Sequence, residues 1–116
     1  MTETAIALIT AVVALAVLIA MSLLANRRFK MERRLPMQWL LDGSVTWTAP
    51  RPVALAFTPV LAAACLAAMV ALTTFLEPRA GQEHLVIPAN ILIALVFLGA
   101  HAMHLWLIQR TLQRQR

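Results

Sequence analysis

His101 and His104 stand three residues apart in the last of the long apolar runs, and they are the side chains best suited to chemistry in this sequence. On a helix, a His-x-x-His pair places two imidazoles on one face, where they can ligate a metal or haem iron or relay a proton. At 100° per residue that face runs through Asn90, Ala94, Phe97, His101 and His104. A closed zinc site needs four ligands. Cys65, the single cysteine, falls at a similar depth in the preceding apolar run and offers a third at most, and no Asp or Glu lies within the apolar runs. The pair is therefore expected first as two histidines bonded to neighbouring helices. A redox, metal or transport role for His101 and His104 is the alternative. No metal ligand set and no cofactor are assigned. Cys65 is expected to pack as a small hydrophobe.

Catalysis has little to work with. No nucleophile, base and orienting group are grouped, and no glycine-rich phosphate loop, paired in-run carboxylates or metalloprotease motif is present. The cluster Glu77, Arg79, Glu83 and His84 reads as a solvated connector. No catalytic residue is assigned, and the protein is expected not to be an enzyme.

The elements that must position the histidines are three long apolar runs, at about 5–25, 53–76 and 85–108. Each has about the 20 residues that cross a hydrocarbon core as an α-helix. With 61% hydrophobic and 13% charged residues, the composition is that of a membrane protein. The expected class is all-α: one membrane domain over 1–116, with three transmembrane helices, an interfacial loop at 26–52, an outer loop at 77–84 and a tail at 109–116. The first run follows Glu3 with no Lys or Arg before it, and a basic cluster comes after it. That pattern is expected of a retained span rather than a cleaved leader. Polar groups in such spans face protein or water, so the histidine stripe should point into the bundle.

Charge predicts the orientation. Arg27, Arg28, Lys30, Arg33, Arg34, Arg51, Arg110, Arg114 and Arg116 lie on one side of the spans, against Arg79 alone on the other. Basic residues in short loops stay in the cytosol, which predicts the N-terminus outside and the C-terminus inside. Trp39, Trp47 and Trp106 fall on the same basic side, where indole suits the membrane interface. The net charge of +5 is thus expected to meet lipid headgroups rather than nucleic acid. Within the first loop, a short amphipathic helix over 27–35 could form up to Pro36, and Asp42-Gly43-Ser44 reads as a turn.

Prolines and alanines punctuate the spans. Pro50 and Pro52 precede the second helix, Pro59 should bend it, Pro78 marks its end, and Pro88 opens the third. Ala63, Ala67 and Ala71 at steps of four are expected to pack the second span closely, with Ala64 and Ala68 beside them. Ala7 with Ala11 and Ala16 with Ala20 do the same for the first.

The loop itself carries a pattern: Leu35-Pro36-Met37-Gln38-Trp39, then Asp42-Gly43, Trp47 and Pro50-Arg51, followed by an apolar run containing Pro59. It resembles the N-terminal domain of unknown function of SdpI-like bacterial membrane proteins, over residues 35–59. It departs from that family in lacking the second Pro and the His that often follow Leu-Pro, with Gln38-Trp39 near their place, and in having fewer spans. The resemblance implies a bacterial membrane protein, in some members with an immunity or signalling role against toxic peptides. Recognition is expected in Leu35, Pro36, Gln38, Trp39, Asp42, Gly43, Trp47, Pro50 and Arg51.

Together these features predict a small inner-membrane protein acting through contacts, as an accessory, assembly or immunity-like factor. Its expected partners are membrane lipids and another membrane protein or a second copy. Binding of anionic lipid by the basic loop is a further alternative.

Overall fold

The computed structural model describes residues 1–116. Helix α1 spans Glu3–Arg28, strands β1 (Arg34–Trp39) and β2 (Val45–Pro50) form an antiparallel hairpin, and α2 spans Arg51–Phe75. A short 3-10 turn, Glu83–Leu85, leads into α3 (Val86–Arg114). All three helices are long and apolar enough to cross a membrane.

The helices run up, down and up. Thr4 and Thr74 share a hydroxyl hydrogen bond (3.1 Å) at one end of α1 and α2, while Arg51 Nε donates to Asn26 Oδ1 (2.8 Å) at the other. Arg28 Nη1 donates to Gln109 Oε1 (2.7 Å), tying the C-terminal ends of α1 and α3 together beside the hairpin. Lipid offers no hydrophobic drive to bring helices together, so close approach must come from small side chains. The middle of the bundle does this with Ala11 and Ala14 of α1, Ala62 of α2 and Ala94 of α3, packed around Leu18 and Leu66.

Within the chain, α2 packs through a different face from Ala63, Ala67 and Ala71. Ala67 and Ala71 are exposed and Ala63 is half-buried, while α2 turns Ala54, Leu55, Ala62 and Leu66 inward. That face alternates large and small side chains, which interlock with α1 better than an all-alanine row. On α1, Ala7 and Ala11 are buried as expected, whereas Ala16 and Ala20 point outward.

The 26–52 connection is the main correction to an all-α architecture. It holds a two-stranded sheet and no helix over 27–35. Val45, Thr46, Trp47 and Thr48 favour extended backbone. Leu35 and Ala49, paired across the strands, turn to the helices and are buried. The register slips on either side of Gln38, first between Pro36 and Gln38 and again between Gln38 and Trp39; Pro36 lacks the N–H a regular ladder needs. The expected turn is present: Gly43 has φ +90, and Asp42 Oδ1 accepts from the Ser44 N–H (2.9 Å) and hydroxyl (2.7 Å).

A second core sits under the hairpin, where Leu35 packs with Ala25, Phe29, Leu55, Ile108 and Leu112. Ile108 and Leu112 explain why α3 runs on to Arg114, through most of the segment expected as a tail. Burying a leucine such as Leu35 stabilises by roughly 1.5–3 kcal/mol relative to water, enough to hold the hairpin against the helix ends.

Candidate functional site

The polar interior begins with a proline. Pro59 has no N–H, so the Leu55 carbonyl four residues earlier loses its helical donor. Ser22 of α1 supplies a replacement: its hydroxyl donates to the Leu55 carbonyl at 2.7 Å. The same Oγ lies 2.8 Å from His101 Nε2. A hydroxyl has one proton. With that proton committed to Leu55, Oγ accepts from His101, which places the imidazole proton on Nε2. His101 Nδ1 is then a bare acceptor, and it is buried without a partner. One serine thus joins all three helices at a fully buried histidine.

The expected stripe faces the bundle. Asn90, Ala94 and His101 are buried, and Phe97 and His104 are half-buried. Asn90 Nδ2 donates to Thr73 Oγ1 (3.1 Å) on α2 and to the Val86 carbonyl (2.9 Å) of its own helix. His104 turns to the hairpin, where its Nε2 donates to the Pro36 carbonyl at 3.3 Å and its ring meets Trp39 edge-on at 5.8 Å. Trp39 in turn donates Nε1–H to Thr111 Oγ1 (2.8 Å). The two histidines therefore share a helix face but serve different partners. No three of the chain's His, Cys, Asp and Glu side chains come together as metal ligands; Cys65 is half-buried on α2.

The loop residues divide into two groups. Leu35 and Pro36 are buried, Trp39 is latched to α3, and Pro50 caps α2. Arg51 closes the C-terminal end of α1: its Nη1 donates to the carbonyls of Lys30 (2.6 Å), Glu32 (2.8 Å) and Phe29 (3.3 Å). The guanidinium thereby ties down the turn that follows α1, at the negative end of that helix's dipole. These five residues build the hairpin. Gln38, Asp42, Gly43 and Trp47 lie on its outside, where Trp47 Nε1 donates to Gln38 Oε1 (2.9 Å). Leu40 and Leu41 join Trp47 as exposed large apolar side chains there.

Sequence reasoning passed over Ser22, Thr73 and Thr111. Ser22 carried a signal, since it is the one hydroxyl in the second half of α1 and Pro59 implies a carbonyl in need of a donor. Thr111 carried none, because its partner depends on the hairpin fold.

Comparison with protein-family models, curated proteins and solved structures gives no match for this chain.

Proposed function

We propose that this is a small bacterial inner-membrane protein that works without catalysis, through contacts with another membrane protein made by its hairpin. The roles that fit are accessory subunit, assembly factor or immunity-like protector. The hairpin end lies in the cytosol, with the N-terminus outside, on the strength of nine basic residues at that end against Arg79 at the other.

The observation that carries this reading is the combination of a fixed base and an apolar tip. Arg51, Trp39 and His104 hold the hairpin to all three helices. Leu40, Leu41 and Trp47 are left exposed on it, beside polar residues. A rigid mount with exposed aromatic and aliphatic anchors is the arrangement that concentrates binding energy at protein interfaces. The resemblance of residues 35–59 to SdpI-like proteins supports the immunity-like form. His101 and His104 each have an Nε2 partner within the chain, Ser22 and the Pro36 carbonyl, which supports a packing role for them.

The test is purification of the tagged protein from bacterial membranes in mild detergent, beside a Leu41→Asp, Trp47→Ala variant. A stoichiometric partner held by the wild type and lost from the variant is expected. A partner retained equally by both, or none with either, contradicts the proposal.

A further inference from the structure

A groove of about 600 Å³ opens between α1 and α2 on the outer face of the bundle. Its walls are apolar, with Leu15 and Ile19 on one side and Ala56, Val60 and Ala63 on the other. It ends at Asn26 and Arg51, where the helices meet the hairpin. No acidic residue lines it.

The mouth holds unused donors in a fixed orientation. Arg51 spends Nε on Asn26 and Nη1 on three carbonyls, leaving the two Nη2 protons without a partner in the chain. Asn26 accepts through Oδ1, so its amide NH₂ is also free. Arg27 continues the row of Leu23 one helical turn on and makes no ion pair; the one ion pair in the chain joins Glu32 and Arg116. We propose that this groove is a binding site for an anionic phospholipid. The phosphate accepts from Arg51 Nη2 and Asn26 Nδ2, and one acyl chain lies along Ile19, Ala56, Val60 and Ala63.

Charge complementarity decides the occupant. Basic pockets between helices at a membrane surface take anionic headgroups, and a guanidinium fork matches phosphate oxygens. A zwitterionic lipid brings a second, cationic group into a site that already holds Arg51 and offers no carboxylate to receive it. A helix from another copy would bury the free N–H groups of Arg51 and Asn26 without acceptors, at a desolvation cost. The site needs the spans to lie in a bilayer, but it does not depend on the proposed protein partner or on the orientation.

The test places the full chain in nanodiscs of equal phosphatidylglycerol and phosphatidylcholine and reads retained lipid by native mass spectrometry. Both lipids offer Arg51 the same phosphodiester, so the preference rests on the cationic headgroup that only phosphatidylcholine brings beside it; the wild type should keep phosphatidylglycerol over phosphatidylcholine by roughly fivefold. Asn26→Asp preserves the acceptor for Arg51 Nε but replaces the amide donors with negative charge. Ala56→Trp fills the groove at an exposed position and leaves the mouth intact. Both should lose the preference while melting at the wild-type temperature. Equal retention of the two lipids by the wild type, or a preference that survives in either folded variant, overturns the proposal. So does a groove occupied by a second copy of the chain, released by Ala56→Trp with no lipid bound.

Discussion

The Ser22 hydroxyl donates to the Leu55 carbonyl at 2.7 Å, across the α1–α2 interface, at the carbonyl that Pro59 deprives of its helical partner. The proline therefore creates an interhelical hydrogen bond as well as removing one within α2. His101 completes the arrangement from α3 by donating to the same serine at 2.8 Å.

Ser22→Ala leaves both the Leu55 carbonyl and the His101 N–H unpaired in the bundle. The expected cost is about 1–3 kcal/mol for a group left unsatisfied, read as a lower melting temperature in detergent. Pro59→Ala returns the N–H that Leu55 needs, so Ser22→Ala should cost about 1 kcal/mol less in that background. Additive losses in the double variant would show that Pro59 and Ser22 are not coupled.

Arg51→Lys keeps the charge at the end of α1 but not the fork. One ammonium cannot reach Asn26 Oδ1 and the carbonyls of Phe29, Lys30 and Glu32 together. We expect a loss of about 1–3 kcal/mol, with amide exchange over residues 29–34 faster than in the wild type and exchange at the middle of α1 little changed. Unchanged exchange there would mean that the cap does not hold the hairpin.

The Asp42 turn should persist into acid. The Ser44 hydroxyl, and after it the Ser44 backbone N–H, hold the Asp42 carboxyl below its ordinary range. A lowered folded value means that the stabilisation is present above the ordinary carboxylate value and is lost as pH falls through the lowered one. The Ser44 amide resonance should therefore titrate with a midpoint below that of an unperturbed aspartate. A midpoint at or above the ordinary value would show that the two bonds do not form in solution. Asp42 is fully exposed, so the effect concerns the turn rather than overall stability.

The three apolar helices and the inward face of α3 were legible because each rests on a strong local signal: long uncharged runs, and polar residues at helical spacing. Gly43 and Asp42 marked their turn for the same reason. The hairpin was not legible. Arg34 and Pro36 interrupt any alternation in β1, and what holds it, Trp39 to Thr111 and Leu35 to Leu112, spans distances that a local pattern does not carry. The packing face of α2 was hidden by abundance. With alanine at 62, 63, 64, 67, 68 and 71, small residues mark every side of the helix, and only Leu55 and Leu66, seen against α1, separate Ala62 from Ala63.

The most direct test of the proposed role is site-specific photocrosslinking in intact bacterial membranes, with the photoreactive group placed in turn at Leu41, Trp47, Glu83 and Leu92. All four positions are exposed: the first two on the hairpin, the third at the opposite end and the fourth on the outer face of α3. A discrete protein adduct from Leu41 and Trp47, with none from Glu83 or Leu92, is the predicted result. No adduct from the hairpin, or the same adduct from all four positions, would contradict a contact role for it.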